Sequence, residues 1–375
     1  MSPFFKKVCT LLISTSCLVK AHSAVAQEQD FLGWCLDLEA PDSVRVTVEA
    51  LKVLAETLDC QEAKDRLSAF EEFRLDEKGI EDLRPLVGFD SLRILDLTAN
   101  QIVDLTPLTR LRGLKDLTIA KNPVNDISPL ERTPQLQALI MWGTKVRDFT
   151  PLLALVNLTY LNIGNNEVED LSPIFKLKKL DTLFVNDNRI SDLTPLSFIP
   201  QIRWLDFSGN RVEDISPLSE LRNLVYLYFD DNRVQELNPL NPLVNLRRLS
   251  FSGNQVSSIL VVRDLPRLNV LSFARNRVRY IFPVASLKEL LSLDASDNLI
   301  QRIDDIANLT SLRDLRLMNN QISKVTWLRA LYDLQYLYLW NNPIANGTVP
   351  KVEDNCPTEE DVTPLLRDFC LSPSE

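Results

Sequence analysis

The chain has 375 residues, 45% hydrophobic and 25% charged, with a net charge of −10. That is the composition of a soluble globular protein with ample apolar material for a core. The acidic balance disfavours nucleic acid and anionic membrane surfaces as partners, and a single histidine, His22, leaves little room for imidazole-based catalysis.

Residues 1–26 read as a signal peptide. Lys6 and Lys7 precede an apolar run from Val8 to Val19, and Ala24-Val25-Ala26 offers a small-residue exit before Gln27. The run is too short for a membrane span, and nothing later is long enough, so no integral membrane segment is expected in the mature chain. A lipoprotein cut before Cys17 is the alternative, but Ser14-Thr15-Ser16 lacks the usual apolar residue three places upstream. The expected destination is the periplasm, the cell surface or the medium. Cleavage removes three lysines, including Lys20, taking the net charge from −10 to −13, and it removes His22 and two cysteines, Cys9 and Cys17.

Residues 27–72 are expected to form a helical N-terminal cap. "DSVRVTVEALKVLAETLDCQEAKDRLSAFEEF" supplies two amphipathic helices, with Val44, Val48, Leu51, Leu54 and Leu58 at helical spacing. Asp59 with Glu62 makes a capping pair at the start of the second.

From 73 to about 353 the chain repeats. A truncated unit, "FRLDEKGIEDLRPL", is followed by twelve units of 22 residues without insertion or deletion. Leu92, Leu114, Leu136, Leu158, Leu180, Ile202, Leu224, Leu246, Leu268, Leu290, Leu312 and Leu334 share one position. The pattern is L-x-x-L-x-L-x-x-N-x-I-x-D-[LI]-[ST]-P-L. In "LTYLNI", alternation directs Leu161 and Ile163 inward and Tyr160 and Asn162 outward. An asparagine follows in nearly every unit, from Asn100 to Asn342, and a buried amide at that place bonds the backbone of its own and neighbouring coils. Thr144 interrupts the series; a hydroxyl replaces only part of an amide, so a local weakening is expected. The return path carries Thr106-Pro107, Ser128-Pro129, Thr150-Pro151, Ser172-Pro173, Thr194-Pro195 and Ser216-Pro217. Ser or Thr as N-cap and proline at the first helical position predict a short helical turn, favoured by the acid before it, Asp104 through Asp214. From 255 onward this device decays, and less regular turns are expected there.

These residues resemble the leucine-rich-repeat family, in the 22-residue class to which bacterial exported internalins belong, over about three quarters of the chain. The resemblance implies an α/β solenoid: a right-handed arc with a parallel sheet on its concave side, short helical or 3-10 turns on its convex side, and a helical cap at each end. It also implies protein partners on the concave sheet, which internalin-like relatives use for host contact. No L-P-x-T-G anchor or C-terminal membrane tail is seen, so host adhesion is one option among several. Cytoplasmic phosphatase-regulatory relatives share the repeat length, and the signal peptide argues against that role.

Residues 354–375 are expected to form the C-terminal cap, with Val362, Leu365, Leu366 and Phe369 of "TEEDVTPLLRDFC" on one helix face. Four cysteines remain after signal cleavage, an even number that suggests disulfides in an exported chain. About 13 strands at ~4.8 Å put roughly 60 Å between the two pairs. A bridge needs Cα atoms within ~7 Å, so Cys35–Cys60 and Cys356–Cys370 are the expected pairings. Each should contribute roughly 3 kcal/mol.

Catalytic motifs are missing. There is no Cys-x-x-Cys, phosphate loop or Gly-x-Ser-x-Gly, and no catalytic, metal or cofactor residue is assigned. Paired acids such as Asp230-Asp231, Asp304-Asp305 and the Asp206/Asp230 neighbourhood arise naturally in repeats, although glycosidases also use two carboxylates. Acidic columns on a secreted array could bind calcium, although no EF-hand-type spacing is present. The sequons at Asn157, Asn308 and Asn346 read as coincidental.

The outward strand positions carry the functional reading, because the fold does not dictate them. Units three to seven place Trp142, Tyr160, Phe184, Trp204, Tyr226 and Tyr228 there, with Asp187, Asp206, Asp230 and Asp231 close by. Tyr336, Tyr338 and Trp340 form a second cluster, and Arg189, Arg211, Arg233 and Arg277 run along one rim. Exposed aromatics among charges are typical interface anchors. The expectation is a monomeric, non-enzymatic, secreted or envelope binding protein with a protein ligand on this face. A carbohydrate-binding or carbohydrate-active protein is the second reading and an envelope scaffold the third; a glycan ligand would stack on the same rings.

Overall fold

The computed structural model describes residues 29–344 apart from 332. Three helices come first: α1 (Phe31–Leu36), α2 (Asp42–Leu54) and α3 (Cys60–Leu67). Only two were legible in the sequence. The short α1 lacks a long apolar period, but Asp30 caps it by accepting from the Gly33 N–H at 3.1 Å. Phe31 is fully buried beneath it. Helix α2 buries Val44, Val48 and Leu51, as their spacing predicts. Leu58 departs from that stripe. The helix ends at Leu54, Glu56 turns the chain at a φ of +54°, and Leu58 emerges 80% exposed. Asp59 accepts from the Glu62 N–H at 2.8 Å, but the Glu62 carboxylate takes the Thr57 hydroxyl at 2.6 Å instead of reaching back to Asp59. Cys35 and Cys60 are disulfide-bonded with Cα atoms 5.8 Å apart, tying α1 to the first residue of α3. Cys356 and Cys370, and the leader and C-terminal cap inferred above, lie outside the described residues.

Thirteen parallel strands follow in sequence order, each of three residues. They are β1 (Glu72–Arg74), β2 (Ile94–Asp96), β3 (Asp116–Thr118), β4 (Ala138–Ile140), β5 (Tyr160–Asn162), β6 (Thr182–Phe184) and β7 (Trp204–Asp206). Then come β8 (Tyr226–Tyr228), β9 (Arg248–Ser250), β10 (Val270–Ser272), β11 (Ser292–Asp294), β12 (Asp314–Arg316) and β13 (Tyr336–Tyr338). Each strand pairs with the next in unbroken 22-residue register, Trp204 beside Tyr226 and Leu205 beside Leu227. The alternation holds: Leu161 and Ile163 are buried while Tyr160 and Asn162 keep access to solvent. One coil cannot cover its own leucines, so stacking is what buries them. Under β7–β10 the core gains a feature that leucine counting does not show. Phe207, Phe229, Phe251 and Phe273 stack nearly parallel, centroids 5.4, 5.7 and 5.7 Å apart.

The asparagines form the expected ladder. The Asn210 amide donates to the carbonyls of Val185 (3.0 Å), Phe207 (2.8 Å) and Ser208 (3.2 Å), and its oxygen accepts from the Ile190 N–H at 2.9 Å. One side chain thus satisfies backbone groups of two coils. Thr144 breaks the pattern. Its N–H and hydroxyl both donate forward to Asn166 Oδ1, at 3.0 and 2.9 Å. It has no second donor to place on the preceding coil, where Asn122 and Asn166 each hold a carbonyl.

The convex connections are 3-10 turns, and they correct two expectations. First, the Ser or Thr is not the capping residue. It opens the turn, and its own N–H donates to the aspartate two residues earlier: Thr106 to Asp104, Ser128 to Asp126, Thr150 to Asp148, Ser172 to Asp170, Thr194 to Asp192 and Ser216 to Asp214, all at 2.7–2.9 Å. Proline, next in line, has no N–H to offer, so the acceptor must serve the residue before it. Second, the turns past 255 are as regular as the earlier ones. Leu260–Asp264, Phe282–Ser286, Asp304–Asn308 and Thr326–Ala330 each span five residues. Backbone bonds such as Val262 N–H to Ile259 O (3.0 Å), and burial of Val262, Val284 and Ile306, hold them without the aspartate.

Candidate functional site

Because strand side chains alternate, each coil presents two residues from its strand outward and a third just beyond. Across β5–β9 the first row reads Tyr160, Thr182, Trp204, Tyr226, Arg248 and the second Asn162, Phe184, Asp206, Tyr228, Ser250. The rings touch in sequence. Tyr160 lies 5.7 Å from Phe184, Phe184 5.4 Å from Trp204, and Trp204 5.0 Å from Tyr226, all tilted or edge-on. Arg248 stands 5.8 Å over the Tyr226 ring and closes the row. Trp204 remains 38% exposed at its centre.

Carboxylates border this row. Asp206 sits between Phe184 and Tyr228 in the second row and accepts from the Ser208 N–H at 2.9 Å. Asp230 accepts from the Ser250 hydroxyl and the Ser252 N–H, both at 2.6 Å. Burial pushes both carboxyls above the usual range, opposed by these hydrogen bonds; the neighbouring Asp187 adds to the rise at Asp206, and Asp206 and Asp231 add to it at Asp230. Burial also pushes the Tyr160 phenol up.

At the edge of the face, one residue per coil takes a left-handed conformation: Asp187, Gly209, Asp231, Gly253 and Arg275, with φ between 51° and 68° in all five. Asp231 pairs with Arg275, two coils on, at 3.0 Å. The two meet across Gly253, where a Cβ would collide with the Asp231 carboxylate. Arg248, Arg275, the two glycines, Ser250 of β9 and Ser252 just beyond it escaped the sequence reading. The 22-residue column of glycine and acid was the available signal for this edge.

The other candidate residues are placed apart. Trp142 lies beyond the end of β4 with Lys121 4.8 Å over its ring. Tyr336, Tyr338 and Trp340 gather at β13, with Tyr338 and Trp340 5.4 Å apart and Arg316 5.4 Å over Tyr338. Five strand spacings of ~4.8 Å put that cluster roughly 24 Å from β8. The arginine row stands on the flank between sheet and turn. Arg189 pairs with Glu167 at 3.4 Å and Glu169 at 3.8 Å, and Arg233 with Glu213 at 3.5 Å. Arg189 and Arg147 share an open cavity with Thr150 and Pro173 of the convex turns. Arg211 and Arg277 are exposed. Among the described residues, no group of three His, Cys, Asp or Glu is placed to hold a metal ion, and no helix is long and apolar enough to cross a membrane.

A one-dimensional stack of strand, asparagine and turn defines a leucine-rich-repeat solenoid, a protein-interaction module of a kind typically without enzymatic activity. The family model described as leucine rich repeats (2 copies) matches residues 156–197, 200–242 and 288–330. An internalin from Listeria monocytogenes is 25% identical, with 80% of this chain and 95% of that chain covered and a TM-score of 0.69. A leucine-rich-repeat protein from Leptospira interrogans is 21% identical, with 77% and 95% covered and a TM-score of 0.56. The Arabidopsis receptor kinase HAESA, solved with the peptide hormone IDA and a co-receptor, is 20% identical, with 67% and 46% covered and a TM-score of 0.60. No curated protein sequence matches the chain. The chain therefore has a leucine-rich-repeat fold and is similar to internalins.

Proposed function

We propose that this is an exported, monomeric, non-enzymatic binding protein whose partner is another protein, held on the concave sheet face over β5–β8. The observation that carries the reading is the continuous contact of Tyr160, Phe184, Trp204 and Tyr226 on a face that the fold leaves free. Exposed aromatic patches are uncommon on monomers unless used, and rigid rings are efficient anchors because ordering them costs little entropy. The leader-like residues 1–26 and the Cys35–Cys60 bridge support export. The similar solenoid of HAESA, solved in complex with a peptide hormone, supports a polypeptide ligand.

The test is capture from a cell-envelope extract with the wild-type chain beside Trp204→Ala/Tyr228→Ala and Tyr336→Ala/Trp340→Ala. A specific protein should be recovered by the wild type and by the second variant, and lost by the first. Equal recovery by all three would place the interface elsewhere. Retention of a glycan instead, with turnover abolished by Asp206→Asn, would move the protein into the carbohydrate-active class.

A further inference from the structure

Three of the aromatic groups on the sheet side carry their own cation: Lys121 over Trp142, Arg248 over Tyr226 and Arg316 over Tyr338. Among the described residues, Phe184, Trp204 and Tyr228 have none. The acids divide in the same way. Asp231 pairs with Arg275 and Asp314 with Arg316, whereas Asp187, Asp206 and Asp230 have no Lys or Arg within ion-pair reach among the described residues. Asp187, Asp206 and Asp230 lie in the same three coils, β6–β8, as Phe184, Trp204 and Tyr228.

The chain itself shows how a guanidinium is held at this edge. Asp231 lies across Gly253, and Arg275, two coils on, reaches over the glycine to meet it. Asp187 repeats the first half of that arrangement. Its carboxylate lies across Gly209, where a Cβ would collide with it, and both residues share the left-handed backbone of their counterparts. Two coils on, however, stands Asp231, an acid already engaged by Arg275. The notch is built and its cation is missing.

We propose that the Trp204/Tyr228 face receives a basic segment of the partner, with an arginine guanidinium seated among Asp187, Asp206 and Asp230 against those rings. This rests on the protein-binding reading above and adds the chemistry of the ligand. Arginine suits the place better than lysine, because its planar fork bonds carboxylates and stacks on rings at once. Charge complementarity points the same way, since one exposed and two half-buried acids without a counter-ion attract a basic chain and repel an acidic one.

A phage-displayed library of random linear peptides, panned on the full chain, tests this. The pool retained by the wild type should be enriched in arginine and lose about tenfold or more in affinity on Asp187→Asn or Asp206→Asn, near-isosteric changes that keep the fold. Asp231→Arg supplies the missing guanidinium from within, at a position whose equivalent, Arg275, tolerates arginine. It should abolish arginine-peptide binding, while the same reversal at Asp305 on the convex side leaves it within about twofold. A pool that depends on Trp204 and Tyr228 but has no basic enrichment would overturn the arginine assignment and leave the protein-binding face standing. Arginine-rich peptides indifferent to Asp187→Asn, Asp206→Asn and Asp231→Arg would overturn it too. A pool indifferent to Trp204→Ala/Tyr228→Ala would overturn both.

Discussion

Coils β5–β8 and β9–β12 have the same backbone and different surfaces. The first group presents rings and acids on the sheet and aspartate-capped turns behind it through Asp214. The second presents serines at 250, 272 and 292 on the sheet, and from 255 onward its turns have no capping aspartate. Register and strand length nevertheless continue unchanged, and the turns behind β9–β12 keep five residues each. What both share is inward: the leucine columns and the asparagine ladder. Inward residues therefore dictate the coil, and the outward ones are available for recognition. That division can be attacked directly.

The largest effect should come from the ladder, and it should ignore which half is struck. Asn232→Ala and Asn276→Ala each strip three carbonyls of a donor and one N–H of an acceptor. At ~1–3 kcal/mol for each buried group left unmet, with partial relaxation, a loss of about 3 kcal/mol is expected at both sites. Urea denaturation followed by circular dichroism measures it. Losses differing more than about twofold between the two sites would show that the halves are not built alike. Thr144→Asn restores a rung and should gain about 1 kcal/mol, the net worth of one hydrogen bond.

The convex caps should distinguish the halves. Asp192→Ala removes the acceptor of the Thr194 N–H and should cost about 1 kcal/mol. Lys324→Ala, at the same repeat position, removes no cap and should cost nothing measurable by the same denaturation assay. Tyr280→Asp would install the cap in a coil that lacks it, ahead of Phe282. A gain of about 0.5 kcal/mol is expected, smaller because the existing turn is already held by its backbone and by buried Val284.

These contrasts also explain what was legible in advance. Leu161, Ile163 and the asparagines recur under strict physical demands, so their spacing revealed strands, register and core. The turn chemistry was half visible. Asp, Ser/Thr and Pro recur together, but periodicity does not say which side chain serves which N–H; proline's missing donor decides it only once the 3-10 geometry is known. Helix α1 was too short for a period to show. At the face, the rings were readable because strand alternation placed them. The Asp187–Gly209 and Asp231–Gly253–Arg275 relations span two coils in three dimensions and depend on a left-handed backbone that no single unit of sequence displays.

The smallest effect separates the two sets of aspartates by sign. Thr194 holds the Asp192 carboxyl below its ordinary range, through side-chain and backbone hydrogen bonds. Its folded pKa is depressed, so its stabilisation is full above the unfolded value of ~3.9 and is lost as pH falls through the folded one. Asp206 is the reverse. Burial raises its carboxyl, so between ~3.9 and that raised value the folded state binds more protons than the unfolded state, and stability falls as pH rises. Asparagine keeps an acceptor oxygen at either site and deletes only the charge. Asp192→Asn should therefore be slightly less stable than wild type at pH 7, and Asp206→Asn slightly more stable, with both differences fading as pH drops below ~4. Thermal melts across that range read the two signs. A destabilised Asp206→Asn at pH 7 would mean that the ionised carboxylate is satisfied by the free protein, leaving no deficit of positive charge on this face for a partner to fill.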